Sequence, residues 1–391
     1  MPGGDAAVGL ALRHALPAAL VAAIAALAAS PAGAAPIALG VYMPGASDDP
    51  GLIDRFARQT GRAPVIVNSY KDWSSLPFDR AELESVWKRG AVSMITWEPW
   101  TSSGGGFPLR AIAAGRFDRY LRRAAGSAAH WGRPLLVRFA QEMNGDWFPW
   151  GQRADGNTGR AFRKAWKHVV NLFRFQGATN VEWVWSPNED SGGSFQFGPL
   201  YPGDEWVDWV ALDGFNWGGS VGWPSFTRVF GSTYDRLVAI TSRPMMIAET
   251  AAGESGGDKA SWITSALERE APRFSHVRAL VWFNVDDPRG DFRANSSNAS
   301  LRAFRNAVAS PTYSATRRTL LKTPALLPAG APAPLPPEAG YGAPSFLEKL
   351  WLKLHGRYVW LAVGAVVLAL LALTAAVLAM LRRSRRRGAP V

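Results

Sequence analysis

The chain has 391 residues, 48% of them hydrophobic, with 18 tryptophans and no cysteine. That supplies apolar material for one large domain and excludes disulfides, thiolate catalysis and cysteine-bound metals. The formal charge of +12 points first to nucleic acid, but eleven basic residues against two acids lie from Pro311 onward, so the rest is nearly balanced and no nucleic-acid partner is expected.

Residues 1–34 read as a signal peptide. Arg13 and His14 precede an apolar run from Ala15 to Ala29, and Ala32-Gly33-Ala34 offers a small-residue cleavage site. An uncleaved N-terminal anchor is the competing reading, although the run is shorter than a spanning helix needs.

Residues 35–310 form the expected catalytic domain. Apolar runs predict strands at Ile37–Met43, Val65–Asn68, Val92–Trp97, Leu135–Phe139, Val181–Ser186, Trp209–Asp213, Met245–Ala248 and Ala279–Phe283. Helical patterns fall between them, at Leu52–Thr60, Phe78–Arg89, Arg116–Trp131, Gly159–Gln176, Ser225–Thr241 and Lys259–Glu270. This alternation implies βα units and a parallel sheet. Eight strands suit a (β/α)8 TIM barrel, whose site gathers at the C-terminal strand ends. A doubly wound sheet is the rival, weakened because no glycine-rich phosphate turn follows the first strand.

From Pro311 to Ser345 the pattern stops and prolines accumulate, which reads as a semi-extended linker. Residues 346–357 mix Phe, Trp and Leu with Lys, as a short interfacial helix does. Residues 358–381 are expected to span a membrane: Val359 to Leu381 is uncharged, and Tyr358 and Trp360 flank one end. Five arginines follow in the tail 382–391, which sets the tail in the cytoplasm and the barrel outside the cell membrane, in the periplasm or beyond.

The expected strand ends carry polar and aromatic groups together. The longest such stretch is Arg138-Phe-Ala-Gln-Glu-Met-Asn-Gly-Asp-Trp-Phe-Pro-Trp-Gly151, after the apolar Leu135-Leu136-Val137. A core strand has no use for this mixture, because buried polar groups need partners. A cleft does: Glu142 can exchange a proton, amides can bind hydroxyls and indoles can cover the apolar face of a sugar. Glu249 ends the seventh strand, across the mouth from Glu142. Glycoside hydrolysis needs two such carboxyl groups facing each other across the scissile bond. The bland alternative makes either glutamate an ion-pair partner of a neighbour such as Arg138. The five histidines are scattered and no HExxH spacing occurs, so neither a metal nor a cofactor is expected. Structural or hydroxyl-binding roles are expected for Glu98, Glu189, Asp190 and Asp213.

The stretch around Glu142 closely resembles the acid/base motif of glycoside hydrolase family 26, the β-mannanase and lichenase-like retaining barrels. Further matching motifs run from about Ile37 to Ala309. The resemblance implies that Glu142 is the acid/base and Glu249 the nucleophile of a double displacement. It also implies that Arg138 and Gln141 lie beside the acid/base and that Trp282 floors the sugar site, while Trp97, Trp147 and Trp217 are candidate subsite walls. The run from Asp291 to Ser297 resembles the family's loop after the eighth strand, where Arg293 either meets sugar or pairs with an acid. The third-strand sequence Ile-Thr-Trp-Glu-Pro-Trp looks closer to the lichenase-type branch. Two positions depart from the family pattern: Gln141 stands where His is usual, and Phe215 where Tyr is usual beside the nucleophile. Phe215 leaves Glu249 without that hydroxyl, so a slower enzyme is expected. The expected function is a membrane-anchored, outward-facing endo-β-glycanase acting on β-mannan or mixed-linkage β-glucan. The alternative is a weakly active or inactive carbohydrate-binding or exopolysaccharide-processing protein on the same barrel.

Overall fold

The computed structural model describes residues 35–101, 104–152, 154–189 and 196–322. Eight parallel strands close into a barrel in chain order: β1 (Ala38–Tyr42), β2 (Ile66–Asp72), β3 (Val92–Glu98), β4 (Leu135–Phe139), β5 (Val181–Trp185), β6 (Trp209–Asp213), β7 (Met245–Thr250) and β8 (Val277–Phe283). Closure is made by β1 against β8, from Ala38 opposite Ala279 to Tyr42 opposite Phe283. Outside lie α1 (Gly51–Thr60), α2 (Arg80–Lys88), α3 (Leu109–Ala113), α4 (Asp118–Trp131), α5 (Gly159–Phe175), α6 (Phe226–Val238), α7 (Lys259–Thr264) and α8 (Asn298–Ala309). The expected (β/α)8 barrel is the fold observed. Two differences bear on the site: β2 runs on to Asp72, and β7 to Thr250.

Side chains alternate across each strand. Ile66, Met94, Leu136, Ala211, Met246 and Val281 fill the barrel interior, while Ile95, Val137, Leu212, Ile247 and Leu280 pack outward in the larger core under the helices. Gly40 of β1 shares the inner layer; a Cβ there would come within 2.7 Å of Val281 Cγ2. The outer helices follow the same economy. In α5, Thr158 caps the first turn by accepting from Ala161 N at 3.2 Å. Phe162, Ala165, Trp166, Val169 and Phe173 then recur on one buried face.

The end of the barrel at the strand N-termini is closed by the chain beyond α8. Ile37 N donates to Thr312 O at 2.7 Å. The buried Tyr313 donates its hydroxyl to Leu267 O at 2.9 Å. Ala315 and Leu320 join the inner core. Arg317, in α9 (Arg317–Leu320), lies 3.6 Å from the Trp87 ring centroid and donates to Trp87 O at 2.6 Å. Residues 311–322, expected as the start of the linker, belong instead to the fold, because their apolar side chains plug the barrel floor. The expected signal peptide, the remainder of the linker, the juxtamembrane segment and the membrane span lie outside the described residues. Among the described residues no helix is long and apolar enough to cross a membrane.

Candidate active site

The inward side chain of Arg138, near the end of β4, organises the mouth. It is fully buried, and its Nη1 donates to Glu249 Oε1 at 2.6 Å and to Thr96 Oγ1 at 3.1 Å. Its Nη2 donates to Asp213 Oδ2, which also accepts from Ser186 Oγ at 3.0 Å. Thr96 in turn donates to Asn68 Oδ1 at 2.9 Å. Strands β2 to β7 thus contribute to one polar layer above the apolar interior. A guanidinium in such a place is stable only because its charge is matched, here by Asp213 and Glu249; its Nε has no partner among the described residues.

Glu249 reaches this layer through an irregularity. Met246 and Ala248 point inward, so strict alternation would turn Glu249 outward. Between Leu212 and Asp213 the β6–β7 register shifts, and Asp213 lies opposite Glu249. A bulge of this kind re-aims a side chain, and it brings both carboxylates onto Arg138. Tyr70, on the inward row Ile66, Asn68, Tyr70 of β2, donates its hydroxyl to the same Oε1 of Glu249.

Glu142 arrives differently. β4 ends at Phe139, and Ala140 and Glu142 then adopt φ of 48° and 51°. Non-glycine residues rarely take this left-handed conformation, and they hold it only where the surroundings fix it. Here Ala140 N donates to Trp97 O at 3.0 Å and Glu142 N to Ser186 O at 2.7 Å. The Glu142 side chain lies at the partly open mouth, where Trp147 donates its indole N–H to Oε2 at 2.6 Å. Removal from water raises the Glu142 carboxyl from its ordinary 4.5 to about 7, and the charge of Glu249 adds to the rise. Arg138, the Trp147 hydrogen bond and Arg289 pull the other way. Glu142 can therefore hold or release a proton near neutral pH.

Beside them Gln141 donates from Nε2 to Glu98 Oε1 at 2.6 Å, and Trp100 donates to Glu98 Oε2 at 3.0 Å. Burial raises the Glu98 carboxyl above its ordinary range, against both hydrogen bonds. The opposite wall is aromatic. Tyr42 meets Tyr70 edge-on at 4.6 Å and Phe283 at 5.2 Å; Phe283 meets Phe215 at 5.3 Å, and Phe215 meets Trp217 at 4.7 Å. Among the described residues no His, Asp or Glu group is arranged to hold a metal ion.

This geometry has close relatives. The profile described as Glycosyl hydrolase family 26 matches residues 120–281. Endoglucanase H of Acetivibrio thermocellus is 36% identical over 272 residues, covering 68% of this chain and 29% of that protein. The chain belongs to glycosyl hydrolase family 26. Mannan endo-1,4-beta-mannosidase A and B of Caldalkalibacillus mannanilyticus is 25% identical over 278 residues, 61% of this chain and 51% of the other. The match therefore spans about a third to a half of those relatives' own length. A solved modular endo-beta-1,4-mannanase from Cellulomonas fimi shares the fold, with a TM-score of 0.57 at 18% identity over 77% of this chain and 76% of that one.

Within this family 26 barrel the structure brings together Arg138, Gln141, Glu142, Trp147, Phe215, Trp217 and Glu249 at one end. It does not bring Trp97 or Trp282 there. Both are 0% exposed and lie in the outer core. Trp97 packs against Trp73, Phe78 and Phe139 and donates to Tyr120 Oη at 3.2 Å. Trp282 packs on Phe304 of α8 at 5.0 Å and donates to Phe292 O at 3.0 Å. Each sits on the outward row of its strand, with Ile95 and with Leu280, so neither can floor a sugar; the neighbour Phe283 is the ring at the mouth. Phe215 also needs correction, since Glu249 has its phenol hydroxyl from Tyr70. Sequence reading missed Tyr70 by ending β2 at Asn68, although the inward alternation Ile66, Asn68, Tyr70 carried the signal. It also missed Arg289. In the hairpin of β9 (Asp286–Asp287) and β10 (Gly290–Asp291), Arg289 pairs with Asp287 at 2.7 Å and stacks over Trp217 at 4.6 Å. Arg293 donates to Asp291 Oδ1 at 2.8 Å and lies 3.1 Å from Asp286, so it pairs with acids.

Proposed function

We propose that the barrel is a retaining endo-β-glycanase, with Glu142 as acid/base and Glu249 as nucleophile. One observation carries the reading: two carboxyl groups share the mouth in unlike surroundings. Glu142 is pushed to about 7, while Glu249 accepts a charge-assisted hydrogen bond from Arg138 at 2.6 Å. Divergent environments of this kind divide the labour of acid and nucleophile. In the first half-reaction Glu142 gives its proton to the leaving glycosidic oxygen as Glu249 bonds to the anomeric carbon. In the second, Glu142 takes a proton from water, which displaces the enzyme carboxylate.

The substrate class is a β-linked glucan or mannan. The relatives named above act on one or the other, and the 36% identity with Endoglucanase H favours the glucan. The uncharged run from Val359 to Leu381 with its five following arginines supports a membrane-anchored enzyme facing outward. Reducing-sugar release from lichenan, β-mannan and β-1,3-xylan tests the activity. Glu142→Gln and Glu249→Gln should each lower turnover by at least about 10²-fold while the protein stays folded. Unchanged hydrolysis by both variants would sink the assignment. Release from lichenan well above that from mannan supports the glucan reading, and the reverse replaces it.

A further inference from the structure

The two oxygens of Glu249 are not equivalent. Oε1 accepts from Arg138 Nη1 at 2.6 Å and from the Tyr70 hydroxyl, whereas no described residue donates to Oε2. We infer that Tyr70 is a positioning residue that, with Arg138, holds Oε1, so that Oε2 is the oxygen that bonds to sugar and Tyr70 promotes its release in the second half-reaction. The inference rests on the assignment of Glu249 as nucleophile.

Tyr70 is suited to this in three ways. Its hydroxyl has one hydrogen-bond partner among the described residues, Glu249, whereas Arg138 divides its donors among Glu249, Asp213 and Thr96. Its ring is braced edge-on by Tyr42 at 4.6 Å, which fixes the position of the hydroxyl oxygen. Burial, with the charge of Glu249 beside it, raises the phenol well above its ordinary range, so it remains a donor at any working pH.

The consequence differs between the half-reactions. On attack, an electron pair of Oε2 forms the bond to the anomeric carbon, the bond to the leaving oxygen breaks, and that oxygen takes the proton of Glu142. Oε1 is then the carbonyl oxygen of a neutral ester, to which Tyr70 binds less strongly than to a carboxylate. On hydrolysis, water bonds to the anomeric carbon and its proton passes to Glu142. The carbon–Oε2 bond breaks, its electron pair returns to the carboxylate, and charge reappears on Oε1 under the two donors. A donor that binds the departing carboxylate better than the ester lowers the barrier to this second step.

The test uses the full chain, Tyr70→Phe, and 2,4-dinitrophenyl β-glycosides of cellobiose and mannobiose, whose leaving group makes the second step limiting. The expected result is a fall in kcat of roughly ten- to hundredfold, by the strength of a hydrogen bond to charge. KM should fall with it, kcat/KM should change little, and a glycosyl-enzyme should accumulate in the mass spectrum. A lower kcat with KM unchanged or raised and no accumulation, or no change at all, overturns the role of Tyr70. Should Tyr70→Phe fail to fold, 3,5-difluorotyrosine at position 70 keeps the ring's shape and alters donor strength; a second step insensitive to it overturns the inference equally. The 2-deoxy-2-fluoro analogue separates the two claims on the unaltered enzyme. A label on Glu249 upholds the nucleophile whatever Tyr70 does, and a label elsewhere overturns the assignment itself.

Discussion

The indole N–H of Trp147 donates to Glu142 Oε2 at 2.6 Å from a residue 40% exposed to solvent. Trp147 is thus both the open aromatic face nearest the acid and a direct partner of its charged form. The bond stabilises the carboxylate and lowers the pKa that burial has raised. Trp147→Phe removes the donor and keeps a ring, so the Glu142 pKa should rise above about 7. An acid that must be protonated then stays competent to higher pH, and the alkaline limb of kcat/KM should move up by about half to one unit. A downward move, or none, would show that the limb belongs to another group.

Glu249→Gln should act in the opposite direction. The charge of Glu249 is the second contributor to the raised pKa of Glu142, after burial. Removing it should lower the Glu142 pKa, and the change can be read by carbon NMR of labelled glutamate side chains. Because the variant is inactive under the proposed mechanism, the titration is informative without turnover.

The tryptophans should separate into two classes. Trp282 is enclosed between β8 and α8, so Trp282→Ala should cost about 3–5 kcal/mol of stability, read as a lower urea midpoint, with KM for whatever folds nearly unchanged. Trp147→Ala should leave the midpoint almost in place and raise KM. Equal effects on KM would return Trp282 to the substrate path.

Phe215→Tyr is not expected to speed the enzyme. Glu249 Oε1 already has two donors, and the Phe215 ring is enclosed by Trp217, Phe283 and Phe292. A hydroxyl placed among these rings without a partner costs about 1–3 kcal/mol. Thermal unfolding and kcat measured together would expose an error here: a faster enzyme at equal stability would mean that a second phenol does reach Glu249.

Most of the barrel was legible because apolar runs and helical periods record what is buried and on which side. Legibility failed where the strands change character. At the top of β2 the inward row passes from Ile66 to Asn68 and Tyr70, so a rule that ends strands at polar residues stops just short of the site. Residue type suggests Trp97 and the family resemblance suggests Trp282 for the cleft, whereas counting alternation from Ile95 and Leu280 turns both outward. Glu249 defeats that same count, because the register shift beside Asp213 reverses it; its place at the end of β7 and the family resemblance identify it. Glu142 lies beyond its strand, in a backbone conformation that no local sequence preference announces.

The barrel floor also sets an orientation. Both ends of the described barrel, Ile37 at the start and the turn after α9 at its close, lie at the face opposite the cleft. A tether joined after Lys322 would hold the molecule like a cup on its stem, rim outward. If the membrane anchor proposed above holds, the enzyme would meet polymers that approach from the surroundings, and glycans rooted in its own supporting surface would have to fold back around the whole barrel to enter.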